Sequence, residues 1–219
     1  MNRSALKYTW LTYRREQLWF PIAFLALFVF ISVFMRHPAI RFNLARAYLG
    51  FMVPLLGGIA AAYAVLDDPA IELRFATPLS AAETLGTRLG LILGVQTLSA
   101  LGFEVVVYAL RVDLSPLGGL LGLQLVWFTP TLALIAVATF GSLAGAQSAV
   151  GAFLAGALWL VQLTMKSWFE LNGKYVFLFM GVFGSAGNDL LMNRVVLLVV
   201  SVALLLGAWA LLHRQERFL

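Results

Sequence analysis

Apolar residues in this chain fall into long unbroken runs rather than alternating faces. Six runs, 18–35, 47–66, 84–110, 117–142, 148–166 and 194–212, match the length of a membrane crossing, which takes about 20 residues at 1.5 Å rise per residue. A run apolar on every side cannot present a polar face to water, so each predicts a helix buried in lipid or among its neighbours. A seventh run, Tyr175 to Gly184, has only ten residues and is too short to cross. It predicts a re-entrant or interfacial piece between spans 5 and 6. Before span 1, Arg3, Lys7 and Arg14 share one helical face and Leu6, Trp10 and Tyr13 the neighbouring one. Residues 3–19 therefore read either as an N-terminal amphipathic helix lying in the headgroup region or as positive anchors ahead of the first span. The expected fold class is an all-α integral membrane protein with six transmembrane helices and a single domain, 1–219.

Punctuation residues set the boundaries. Pro38 follows span 1 and is expected to stop it. Ser115-Pro116 predicts the N-cap and first residue of span 4, and Ser80-Ala-Ala-Glu83 a capping box at the head of span 3. Asp68-Pro69 predicts another helix start, and Pro78 disfavours helix at Thr77. Together they predict a short helix over about 69–76, outside the bilayer, carrying Ile71, Leu73, Phe75 and Ala76. A capped amphipathic helix feeding a stiff proline turn suits the docking of a second protein. Glycines recur at four-residue spacing at Gly86/Gly90/Gly94, Gly118/Gly122 and Gly141/Gly145, a signal for close helix packing.

Composition narrows the function. Of 219 residues, 62% are apolar and 11% charged, against about 25% charged in soluble domains. Six crossings leave no room for a soluble catalytic domain. The net charge of +5 fits juxtamembrane anchoring to lipid rather than nucleic-acid binding. Orientation is not decided by charge: with a cytoplasmic N-terminus, eight Lys and Arg lie inside and seven outside. No small-residue cleavage pattern follows the first run, so no cleavable signal is expected. With no cysteine, neither disulfides nor thiolate metal sites arise.

Candidate chemistry is sparse. His37 and His213 form no metal-ligand spacing, so no metal site is expected. Ser185, in a glycine-flanked turn, and His213 stand 28 residues apart, about 40 Å along one helix, which excludes a nucleophile–base pair. Gly173-Lys174 lacks the upstream glycine and the hydroxyl residue of a phosphate-binding loop. The chain is expected to be no enzyme and to bind no cofactor itself. Glu104 lies well inside span 3, with Arg111 seven residues on, and the two predict a pair near the interface. Polar residues within spans include Ser32, Tyr63, Gln96, Gln124, Gln162 and Thr164. Of these, Ser32, Tyr63, Gln162 and Thr164 are the candidates for a translocation path.

The stretch Asp67 to Gly90 resembles the loop between spans 2 and 3 of the type-2 class of ABC exporter permeases. That class places a Glu, a short helix, a Pro-Leu/Val-Ser turn and a basic residue entering span 3; Glu72, Pro78, Leu79, Ser80 and Arg88 occupy those places. The resemblance implies that the 69–79 helix is a cytoplasmic coupling helix, with Asp68, Glu72, Leu73, Phe75, Ala76, Thr77 and Pro78 docking an ATPase subunit. It further implies a homodimer or heterodimer with a second permease, ATP and magnesium held by the partner ATPase, a bacterial plasma-membrane location and cytoplasmic termini. The family often carries Glu-x-x-x-Gly-Thr in this helix, whereas Glu72 is followed by Leu-Arg-Phe-Ala, so subfamily and cargo stay open. A haem-exporter-type subunit and a self-sufficient channel or secondary carrier are the competing expectations.

Overall fold

The computed structural model describes residues 15–64, 66, 81–183 and 188–213, and every regular element among them is helical. In chain order these are α1 (Arg15–Phe34), α2 (Pro38–Ala62), α3 (Ala81–Ala109), α4 (Leu120–Gly145), α5 (Ser148–Thr164), α6 (Lys166–Asn172) and α7 (Asn188–Leu212). By length and composition α2, α3, α4 and α7 can each cross a membrane, and α5 with α6, bent by 83° at Met165, makes a fifth. This is a multi-pass membrane protein. The amphipathic segment lies outside the described residues except for 15–19, which belong to α1. The short helix expected at 69–76 and the Ser80 cap lie outside them as well.

Two boundaries differ from expectation. Pro38 does not merely end the first helix: it begins the second, nine residues before the apolar run. The first helical position has no intrahelical use for an N–H, so proline costs nothing there. The polar residues that disguise this stretch are occupied. Arg41 Nε donates to the carbonyls of Ser32 and Met35 at 3.1 and 2.5 Å, capping the end of α1, and its Nη1 reaches Leu110 O at 3.4 Å. One cation thus answers the orphan carbonyls at two helix ends. Likewise Ser115-Pro116 does not start α4. It forms a single 3-10 turn, Ser115–Leu117, and the chain then reverses through Gly118 at φ 103° before Gly119 caps α4. Only glycine adopts that φ without strain.

The packing is built around α2 and α4, whose apolar windows are each 56% buried, against 17% for α7. Close approach is made by small residues. A Cβ on Gly58 would stand 3.0 Å from Leu134 Cβ, and one on Gly151 of α5 would collide with Ala138 O and Ser142 of α4. Ser142 Oγ in turn donates to Ala62 O at 2.9 Å, tying α4 to the end of α2. Gly141 and Gly145 meet α5 in this way, as their spacing predicts. Gly86, Gly90 and Gly94 do not: nothing lies within 4 Å of a Cβ at any of them, so among the described residues the glycine face of α3 has no partner.

Within α2, residues Tyr48–Met52 form a π-helical turn. Such a turn displaces one carbonyl from the helical ladder, and here Phe51 O accepts from Trp159 Nε1 of α5 at 3.1 Å. Tyr48 and Ser99 share a hydroxyl–hydroxyl hydrogen bond of 2.5 Å between α2 and α3.

Candidate functional site

The segment after α6 is where the fold departs most from plain helix packing. Residues 177–183 have turn geometry, yet Phe177, Leu178, Phe179, Met180 and Val182 are all buried. Irregular backbone buried away from water leaves N–H and C=O groups that other protein groups must satisfy. Three side chains do. Gln162, at the end of α5, donates from Nε2 to Val176 O at 3.1 Å and accepts at Oε1 from Leu178 N–H at 2.7 Å. Asn193 Nδ2 donates to Lys174 O and Phe177 O at 2.8 and 2.9 Å. Arg194 Nη1 donates to Leu178 O at 3.3 Å. Aromatic contacts close the apolar side: Phe179 meets Phe51 of the π turn at 4.8 Å and Trp159 at 6.3 Å, while Lys166 Nζ lies 3.9 Å over the Phe183 ring.

At the exposed rim, Lys174 Nζ pairs with Asp189 at 2.8 Å, and the hydrogen bond to that carboxylate raises the Lys174 pKa above its ordinary value. Aromatic and apolar residues make the body of this plug, and side chains from α5 and α7 hold it in place. It occupies the stretch expected to be re-entrant or interfacial, Tyr175 to Gly184, of which residues up to 183 are described, between α6 and α7.

The four translocation candidates are not gathered in one place. Gln162 belongs to the clamp. Thr164, two residues on, is exposed and donates only to Leu160 O and Val161 O of its own helix. Ser32 is buried near the end of α1, and its Oγ has no partner. Tyr63 caps the far end of α2, a full helix length from the α1–α2 turn. Further unpartnered buried atoms are Gln96 Oε1, Thr129 Oγ1 and Thr139 Oγ1. Gln96 and Thr131 flank Gly57, where α2, α3 and α4 meet. The coupling-helix candidates Asp68, Glu72, Leu73, Phe75, Ala76, Thr77 and Pro78 lie outside the described residues.

Glu104 has other partners than expected. Its carboxylate accepts from Gln124 Nε2 at 2.8 Å and Trp127 Nε1 at 3.0 Å, both on α4. Arg111, instead of pairing with it, sits past the end of α3 in a left-handed conformation at φ 56°, on the rim of a groove of about 770 Å³ with Tyr108, Asp113 and Leu120. Asp113 accepts from the Ser115 amide at 2.9 Å, and that bond holds its carboxyl below the usual aspartate value. Among the described residues no three His, Cys, Asp or Glu stand close enough to hold a metal ion.

Asn193 and Arg194 are the residues that sequence reasoning missed. Arg194 reads as a juxtamembrane charge when the span is started at the apolar run. Asn188-Asp189 five and six positions earlier is the available signal, since both residue types open helices and favour the positive N-terminal end.

Comparison with family models, characterised proteins and solved structures finds no match for this chain.

Proposed function

We propose that this chain is the membrane-spanning subunit of an ATP-driven exporter of the type-2 ABC permease class, working with separate ATPase subunits. The observation that carries the reading is the segment joining α2 to α3, in which Glu72, Pro78-Leu79-Ser80 and Arg88 occupy the places of a coupling helix and its exit turn. In this reading α1, α2, α3, α4, α5 and α7 are six crossings, and both termini and the 67–80 connection are cytoplasmic. The clamped 174–183 segment then lies toward the outer face as a gate. Nucleotide-driven closure of the ATPases pushes the coupling helix and rocks α2 and α3 against their neighbours. The subunit pairs with a second permease, and its site in the bacterial plasma membrane follows from the same resemblance.

The environment of Glu104 weighs against a self-sufficient proton-coupled carrier. A carboxylate holding two hydrogen bonds from α4 serves as a helix–helix tie, and proton carriage asks for a group free to exchange with water.

Topology is tested with single cysteines, which meet no native background because the chain has none. A cysteine at position 70 should react with an impermeant maleimide only in permeabilised cells, and one at Asp113 in intact cells. The opposite pattern overturns the orientation and with it the docking role of the loop.

A further inference from the structure

Arg194 stands in α7, six residues after Asn188, and is 97% buried, with 3% of its surface exposed. Its guanidinium remains charged in any protein environment. One nitrogen, Nη1, is used on Leu178 O, while Nε and Nη2 have no hydrogen-bond partner. These two nitrogens share one edge of the planar group, with their N–H bonds parallel. That edge is the fork that grips two oxygens of one anion. The chain offers no counter-charge from the acidic side chains described: Glu104 is engaged by Gln124 and Trp127, Asp113 by Ser115, Glu170 by Lys166 and Asp189 by Lys174. A buried cation with neither counter-ion nor full hydrogen bonding is costly, and Val126 of α4 lies beside Gly181 against it. Gly181 lies directly against Nη2, where a Cβ would collide with the guanidinium. Glycine there is what makes room for the guanidinium.

We propose that the Nε–Nη2 edge of Arg194 is a binding site for a two-oxygen anion of the phosphate class, whether carried by a lipid headgroup or free in solution, reached when the 177–183 segment shifts. The anion supplies the missing charge. This inference goes beyond the transport reading and is independent of it, because binding is measured on the lone chain.

The test uses the full chain in maltoside micelles, which carry no oxyanion. Two probes are added at constant ionic strength: phosphatidylglycerol in the micelle, and inorganic phosphate in solution. The expected result is a rise in unfolding temperature of at least about 3 °C with one probe or both. A response to phosphatidylglycerol alone assigns the site to a lipid headgroup, and a response to inorganic phosphate assigns it to a soluble oxyanion. Arg194→Lys keeps the charge and loses the fork, so its apparent affinity should fall about tenfold or more. Gly181→Ala, which crowds Nη2 without altering charge, should weaken binding in the same direction. A wild-type chain indifferent to both probes overturns the proposal, as does an Arg194→Lys or Gly181→Ala response equal to that of wild type.

Discussion

Gln162 and Thr164 look alike in the sequence, two polar residues near the end of one apolar run, yet they should respond very differently to removal. Gln162→Leu keeps the volume and deletes both hydrogen bonds to the 174–183 segment. The Leu178 N–H is buried and loses its only side-chain acceptor, the Gln162 Oε1 at 2.7 Å. The Val176 carbonyl is partly buried and loses a donor at 3.1 Å. A buried polar group left unpaired costs about 1–3 kcal/mol, and one that water can reach costs less, so the pair amounts to about 2–4 kcal/mol. The loss falls on local opening of the segment rather than on the whole bundle, because Phe179 and Phe183 remain packed. Val182→Cys provides a reporter, since Val182 is buried against Gly50. At tenfold per 1.4 kcal/mol, maleimide labelling of that cysteine should accelerate about 30- to 700-fold in the Gln162→Leu background. Gln162→Glu keeps the acceptor and loses the donor, so it should fall between. Thr164→Ala deletes only bonds within its own exposed turn and should stay within about 0.5 kcal/mol of wild type. Labelling of Gln162→Leu within threefold of the parent would refute the claim that this side chain holds the segment.

Other consequences follow from the geometry. Glu104→Gln can offer one acceptor but turns its amide toward the second donor, so thermal unfolding should show a loss of about 1–3 kcal/mol, whereas Arg111→Ala should be silent. Gly151→Ala forces a methyl against Ala138 O and Ser142, with backbone as the obstacle, and should cost about 3 kcal/mol or more. Gly90→Ala meets open space and should be neutral or gain up to about 1 kcal/mol from helix propensity in the lone chain. Asp113 has a folded pKa below its unfolded one, so the stabilisation of the α3–α4 turn is present above the unfolded value of about 3.9 and lost as pH falls through the folded value. Labelling of a cysteine at Ser115 should therefore quicken only below about pH 4, and Asp113→Asn should abolish that pH dependence.

The helical class and the places of α4 and α5 are legible because their apolar runs are long and bounded by glycine or polar turns. The start of α2 is not, because Arg41, Asn43 and Arg46 look like a loop until their partners are known. Arg41 is spent on the ends of α1 and α3, and Arg46 lies 5.8 Å from the Phe183 ring. The short apolar run at 175–183 announces something other than a crossing, yet nothing local says what holds it. Its clamps come from residues 14 to 19 positions away on two other helices. Hydropathy windows also blur Asn193 and Arg194 into a membrane boundary, although their polarity is used inside. The glycine stripe of α3 shows the converse: its periodicity is plain, yet no described residue packs against it.

Interface energy concentrates in a few anchors, and if residues 69–79 are the proposed coupling helix, Glu72, Leu73 and Phe75 would be its anchors. The most direct measurement is therefore co-purification from the native membrane of the tagged chain and its Glu72→Ala/Phe75→Ala variant, scoring a nucleotide-hydrolysing subunit with a phosphate-binding loop. The wild-type chain alone should neither bind nor hydrolyse ATP, since it lacks that loop. With its partner it should elute as a complex with ATPase activity. The double variant should insert and fold normally yet lose both the partner and the activity. A lone chain that binds nucleotide, or a double variant that retains its ATPase in full, would contradict the exporter assignment.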